Sequence, residues 1–430
     1  MRRPRKLRSY TQAVFTDSLT EPCTAGRVAA LEHKEKITAI VTALLPWYAK
    51  NARDLPWRRT RDPYAVWVSE IMLQQTQVKT VIPFWERWMR ELPTIAAVAQ
   101  APAAKIHKLW EGLGYYSRVR NLQRAAQIIV ARHGGRFPQQ FDDVLALPGI
   151  GRYSVGAICS IAFNQPTPIL DGNVIRVLAR LFGIAGDPKA KPVNARLWRL
   201  AEELVVCAQT QTTPKLKFQA GVAPDRAGRA CSLLNQSLME LGALVCTPRL
   251  PQCRICPVKR RCTALREGRV ATLPSPGRRV AFTARYYVAF VIGRGGKFLL
   301  RQRPAGGVNA HLWEFPNVEV AGARTDAGSV FKAAFGVAAP ELVPLCTIKH
   351  TITNHRITVA AYGVDGGAGF PENKPWKAHF PNGIGVWRTP AQVQELALTA
   401  AHRKIWSQAL AGKPAGKGAG KRTCQKTANR

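Results

Sequence analysis

The sequence predicts a multidomain chain: an all-α domain closed by a metal-binding loop, followed by an α+β domain. Three observations predict it. From about residue 33 to 242 apolar residues recur three and four apart, as at Val68, Ile71, Met72, Val78 and Ile82, the period of helices with one buried face. Beyond residue 284 the period falls to two, or to short apolar runs over 286–292, 297–300, 347–353 and 357–362, which reads as strands. Between the two regimes Cys246, Cys253, Cys256 and Cys262 stand close together, while the other cysteines are scattered.

Each segment follows from its own composition. Residues 1–32 open on Met1-Arg2-Arg3-Pro4-Arg5-Lys6, charged but with no apolar core behind it, so they are expected to form a disordered basic arm rather than a secretion signal. Residues 33–245 are punctuated by Pro56, Pro63, Pro93, Pro102, Gly112, Gly114, Gly134, Pro148, Gly149 and Gly183, giving about ten short helices. Within them 209–229 lacks periodicity and reads as a loop insertion. The cysteine loop occupies 246–267, a Gly-, Pro- and Arg-rich linker 268–284, and the α+β domain 285–410. Residues 411–430 carry too little apolar material for a core and read as a solvated cationic tail.

The 430 residues hold 63 Lys and Arg against 26 Asp and Glu, a net charge of +37. The excess is not a property of the ends alone, since the first ten residues contribute five basic side chains and the last twenty contribute six. A basic body attracts polyanions, of which nucleic acid is the commonest, although ribosome-associated and membrane-surface proteins share the sign. The most apolar stretch, 144–163, is broken by Pro148, Gly149, Gly151 and Arg152, so no membrane span is expected. Clustered rather than evenly spread cysteines fit a metal site in a reducing compartment, hence a cytoplasmic protein.

Cys246, Cys253, Cys256 and Cys262 follow the spacing C-x6-C-x2-C-x5-C. Soft thiolates select zinc or an iron–sulfur cluster, and with one knuckle rather than the two of most structural zinc sites, a 4Fe-4S cluster is the expectation. Leu147-Pro148-Gly149-Ile150-Gly151 separates two helical runs. Gly149 and Gly151 there suit a helix-hairpin-helix, whose exposed amides hold a DNA phosphate at a helix N-terminus; an ordinary tight turn would look the same.

Two carboxylates stand apart from the surface charge. Glu70, in Val68-Ser69-Glu70-Ile71-Met72-Leu73-Gln74-Gln75, has apolar or uncharged neighbours and no cation at i+4. Such a setting disfavours ionisation, which a proton donor near neutral pH needs. Asp171 precedes the apolar helical run Val174-Ile175-Arg176-Val177-Leu178, where Asp is most often a helix N-cap. One neutral acid and one anion are also the usual pair for breaking a glycosidic bond.

Taken together, Leu55-Pro56-Trp57, the Trp67 to Val78 stretch, Gly112-Leu113-Gly114-Tyr115-Tyr116, Leu147-Pro148-Gly149-Ile150-Gly151-Arg152-Tyr153, Leu170-Asp171-Gly172-Asn173-Val174 and the four cysteines resemble the adenine DNA glycosylase (MutY) family of helix-hairpin-helix iron–sulfur DNA glycosylases. The resemblance runs from about residue 38 to 265, and more loosely over 285–410, where the family has a Nudix-like domain that reads the damaged guanine. It implies a monomer that removes adenine mispaired with 8-oxoguanine (or guanine) in double-stranded DNA, after turning the nucleotide out of the stack. It further implies Glu70 as the acid at adenine N7, Asp171 as the carboxylate facing the cationic sugar, and Tyr153 and Asn173 beside that sugar. Trp57 and Arg58 fall where the family lines its adenine pocket; Leu73, Gln75 and Tyr115 match elements that enter the duplex.

The resemblance also separates rivals. An endonuclease III-like glycosylase/lyase acting on oxidised pyrimidines needs a lysine where this chain has Tyr153. A Nudix-type hydrolase needs several glutamates on one helix for magnesium, and Val318 to Asp326 offers only Glu319 and Asp326. The family's Phe-Ser-His loop is replaced by Ile352-Thr353-Asn354, so Thr353 keeps a hydroxyl but the aromatic is gone. Weaker preference for 8-oxoguanine over guanine is therefore expected, unless 347–353 is simply a strand.

Overall fold

In the computed structural model, residues 24–211, 229–275, 277, 281–338, 341–367 and 385–411 are described. Most of the basic arm, the bulk of the 209–229 insertion, part of the linker and the cationic tail lie outside them. The first domain contains α1 (Thr24–Asn51), α2 (Pro63–Leu73), α3 (Val78–Glu91), α4 (Ile95–Gln100), α5 (Ala103–Leu109), α6 (Ser117–His133), α7 (Phe141–Leu145), α8 (Arg152–Phe163), α9 (Gly172–Phe182), α10 (Lys191–Thr210), α11 (Ala230–Leu244) and the short α12 (Thr263–Arg266). The boundary expected at residue 33 is corrected upstream: α1 starts at Thr24, inside the stretch expected to be a disordered arm. Residues 27–35 are exposed, so good helix formers, not an apolar face, continue that helix beyond its core contacts.

Two cores divide this domain. One packs α1, α9, α10 and α11 around Ile40, Leu44, Val177, Leu204 and Leu234. The other packs α2 to α8 around Trp67, Met72, Trp88, Trp110 and Ile158. Helix α2 starts cleanly, with Pro63 in its first turn and the Asp62 side chain accepting from the Tyr64 N–H. Its residues from Tyr64 to Met72 are all buried, as expected of a central helix apolar on every side. Glu70 is thus carried into the interior by its neighbours. On the other side, α11 approaches the start of α9 so closely that a Cβ on Gly242 would lie 2.7 Å from the Cβ of Asn173. Only glycine lets the two halves close there.

The second domain has β1 (Thr283–Arg294), β2 (Lys297–Gln302), β3 (Trp313–Glu314), β4 (Asn317–Val320), α13 (Ala327–Phe335), β5 (Leu342–Ile352), β6 (His355–Asp365), β7 (Val386–Arg388), α14 (Pro390–Glu395) and α15 (Ala400–Ala411). The sheet runs β3-β2-β1-β6-β5, with β4 pairing β1 and β7 pairing β2. It is mixed: β1 and β6 are parallel and the other pairs antiparallel. Helix α15 covers one face through Ile405 and Trp406, and α13 the other through Phe331 and Phe335. This domain is docked on the first, for Leu312 and Ala397 belong to the same buried cluster as Trp110 and Tyr116.

Candidate active site

A cleft of about 550 Å³ opens between the two cores of the first domain. That volume lies within the roughly 300–1,000 Å³ range of small-molecule pockets. Trp57, Arg58, Glu70, Leu73, Gln75, Tyr153, Asp171 and Asn173 all line it. Residues separated by a hundred positions in sequence therefore share one cavity.

Glu70 is 5% exposed. Burial pushes its carboxyl up from the ordinary 4.5 to about 7; the Asp171 charge adds to this, against the Tyr153 hydrogen bond and the nearby Arg58. The Tyr153 hydroxyl donates to Glu70 Oε2 at 2.9 Å and lies 3.5 Å from Met239 Sδ. Burial and the two carboxylates hold the Tyr153 phenol well above its usual range, so it stays a neutral hydroxyl.

Asp171 does what an N-cap does and more. Its Oδ1 accepts from the Val174 N–H at 2.7 Å, and its Oδ2 accepts from Asn173 Nδ2 at 3.1 Å. Burial raises its pKa, and those hydrogen bonds oppose the rise. The cap and the cleft carboxylate are the same side chain. Asn173 Oδ1 in turn accepts from Arg176, whose Nε donates to the Cys246 carbonyl at 2.7 Å. A hydrogen-bonded path therefore joins the cleft to the cysteine loop.

Arg58 lines the cleft and is at the same time held by a buried carboxylate. Both its terminal nitrogens donate to Glu240, at 3.1 and 2.9 Å, and its guanidinium lies over the Tyr48 ring. Glu240 is fully buried and also accepts from the Arg53 side chain and backbone. Burial alone would raise the Glu240 pKa, but bonds from Arg53 and Arg58 outweigh it and bring it to about 2. This buried fork, which sequence reasoning missed, makes the floor of the cleft. Its signal was present: Glu240 interrupts Leu238, Met239 and Leu241 as Glu70 interrupts its own helix.

The remaining candidates lie around the cleft. Gly149 has φ +81 in the turn from α7 to α8, and a Cβ there would sit 2.8 Å from that of Asn121; Gly151 is the residue before α8. Tyr115 is 47% exposed at φ +47, and Gln75 is at φ +58. These two exposed turns are tied together by Arg118, which donates to the carbonyls of Ile71, Met72 and Gln74 on one side and of Leu113 and Gly114 on the other. Thr353 lies apart from the cleft, in the second domain. Strand β5 covers most of 347–353 but stops at Ile352, and Thr353, at φ +52, forms the exposed turn into β6.

Cys246, Cys253, Cys256 and Cys262 line one further cavity, completed by Val177, Leu181, Leu241, Val245 and Val258. Among the described residues no three His, Cys, Asp or Glu side chains converge tightly enough for a single metal ion. The four thiols, with Arg180 and Lys259 also on the lining, make a soft donor set that fits a thiolate-ligated metal group.

Residues 68–203 match the HhH-GPD superfamily base excision DNA repair protein family, and 287–408 match the NUDIX domain. The adenine DNA glycosylase of Homo sapiens is 34% identical over 430 aligned residues, covering 86% of this chain and 74% of the human protein. The chain belongs to the adenine DNA glycosylase family. The family's enzyme from Rattus norvegicus is 40% identical, over 66% of this chain; the chain spans only 61% of that relative's length. A solved thermostable thymine-DNA glycosylase, 28% identical, covers 55% of this chain and 99% of its own, with a TM-score of 0.46. Among the described residues no helix is long and apolar enough to cross a membrane.

Proposed function

We propose that this chain is an adenine-specific, monofunctional DNA glycosylase of base excision repair, acting on adenine opposite 8-oxoguanine or guanine in duplex DNA. The observation that carries the reading is the pairing of Glu70 with Tyr153 and Asp171 in one cleft, with the Glu70 carboxyl at about 7. Glu70 gives its proton to N7 of the extruded adenine. The C1′–N9 bond then breaks with its electron pair going to the base, which leaves neutral. Asp171 faces the resulting oxocarbenium ion and stabilises or transiently bonds C1′, until water adds and leaves an abasic site. The Asn173 amide and Tyr153 hydroxyl are fixed dipoles beside that charge, groups typically worth a few kcal/mol each.

The hairpin at Gly149 and Gly151 holds a backbone phosphate, while Leu73, Gln75 and Tyr115 enter the space left by the extruded base. Trp57 lines the adenine pocket and Arg58, clamped by Glu240, shapes its floor. Cys246, Cys253, Cys256 and Cys262 hold a 4Fe-4S cluster that braces the loop bearing Arg254, Lys259, Arg260 and Arg261. The second domain, with Thr353 at its exposed turn, reads the lesion. Hydrolysis there is disfavoured: α13 carries no carboxylate, and Glu319 is paired with Arg285 and Tyr287.

The test is a duplex panel with adenine opposite 8-oxoguanine, guanine or thymine, and with an oxidised pyrimidine, read as strand scission after alkali. Scission at adenine opposite 8-oxoguanine or guanine, with none at the pyrimidine and no borohydride-trapped lysine adduct, supports the reading. A trapped lysine adduct together with cleavage at the oxidised pyrimidine overturns it in favour of an endonuclease III-like lyase.

A further inference from the structure

We infer that Glu111 is a positioning residue that fastens the Tyr115 turn to the second domain, so that the wedge side chain is held in place by docking of the lesion-reading half. The inference rests on the function proposed above. Glu111 follows the fully buried Trp110 and immediately precedes Gly112-Leu113-Gly114-Tyr115. Its Oε1 accepts from the Leu398 N–H at 2.9 Å and from Arg403 Nε and Nη2 at 2.9 and 2.5 Å. Its Oε2 accepts from Lys108 Nζ at 2.8 Å, and that ammonium reaches across to the Gln394 and Leu396 carbonyls. One carboxylate of the first domain thus gathers three N–H donors from the second.

The surroundings make this more than a surface ion pair. The Glu111 side chain is only 16% exposed, so its charge-assisted bonds are weakly screened. Leu312 and Ala397 seal the same seam with apolar contact. The 394–403 stretch thus reaches the segment just before the turn, and the loop ahead of Leu312 stacks His311 on His107 one helix earlier. From the turn's far side, Arg118 grips the Leu113 and Gly114 carbonyls and carries the connection to the end of α2, three residues beyond Glu70. The Tyr115 turn is held between two anchors, one belonging to each domain. Removing Glu111 takes away the carboxylate that gathers Leu398 and Arg403, and leaves the Lys108 contacts and the Arg118 anchor in place.

The test uses the full chain, comparing wild type, Glu111→Ala, Glu111→Gln and Arg403→Ala. Single-turnover adenine release is measured opposite 8-oxoguanine and opposite guanine. Fluorescence of a 2-aminopurine placed beside the lesion reports unstacking by the wedge. Glu111→Ala and Arg403→Ala are each expected to lower the 8-oxoguanine rate about tenfold, about 1.4 kcal/mol, and to weaken the unstacking signal. Glu111→Gln keeps an acceptor for Leu398 and Arg403 and is expected to recover much of both. Folded variants with wild-type rate ratios and unstacking signals would overturn the inference, as would a defect in Glu111→Ala that Arg403→Ala does not share. Should wild type release no adenine from either duplex, the functional reading fails, while the unstacking signal still decides the role of Glu111.

Discussion

Replacing Glu70 by Gln should stabilise the protein, by an amount that grows with pH. Glu70 is buried and its carboxyl titrates at about 7 instead of 4.5. Below pH 4.5 the group is protonated in both the folded and the unfolded chain, and its neutral form costs nothing extra. As pH rises from 4.5 to about 7 the unfolded chain releases a proton that the folded chain keeps, so stability falls across that window and levels off above it. The full displacement is worth roughly 3 kcal/mol, a ceiling because the cleft admits some water. Glutamine cannot titrate, yet it still accepts from the Tyr153 hydroxyl. Glu240 titrates in both proteins and cancels in the comparison, whereas Asp171, whose charge is coupled to that of Glu70, cancels only in part. Urea unfolding of the two proteins, followed by tryptophan fluorescence, reads the difference directly. The advantage of Glu70→Gln should widen by roughly 2–3 kcal/mol between about pH 4.5 and about pH 8. A constant difference across that range would mean that Glu70 ionises as a surface carboxylate, and the case for it as a proton donor would go with it.

Other outcomes follow from single contacts. Gly149→Ala meets both a left-handed backbone angle and a 2.8 Å approach to Asn121, and should cost about 1–2 kcal/mol while weakening duplex affinity, measurable by fluorescence anisotropy. Arg118→Ala leaves several buried carbonyls without a donor; a loss of about 3 kcal/mol or more is expected in thermal unfolding, together with reduced 2-aminopurine unstacking. Cys256→Ser should lower bound iron and the visible absorbance of the purified protein, without altering helix content of the second domain; full iron retention would remove this cysteine from the ligand set.

Much of the site was legible because its residues break local rules. A lone carboxylate in the apolar run around Glu70, and Asp171 at the head of an amphipathic helix, stand out without any partner in view. The four cysteines are legible by spacing alone. What stayed hidden depends on long-range contact. Glu240 stands out as a lone carboxylate in an apolar run, but its partners Arg53 and Arg58, nearly two hundred positions earlier, appear only when the chain folds. Glu111 and Arg403 meet only through domain docking, which no periodicity encodes. Local propensity misled in two places. Helix α1 runs upstream through Ala, Glu and Lys residues with no buried face, and Thr353 adopts a left-handed turn that β-branched residues rarely take.

The most direct measurement is the amount of free adenine released, by mass spectrometry, from a duplex carrying one adenine opposite 8-oxoguanine, under single-turnover conditions with wild type and Glu70→Gln at equal occupancy. Wild type is expected to release adenine stoichiometrically, at a rate that declines as pH rises through about 7, and the glutamine variant to be at least a hundredfold slower below pH 7, a gap that narrows as Glu70 ionises. Equal rates for the two proteins below pH 7 would contradict Glu70 as the acid.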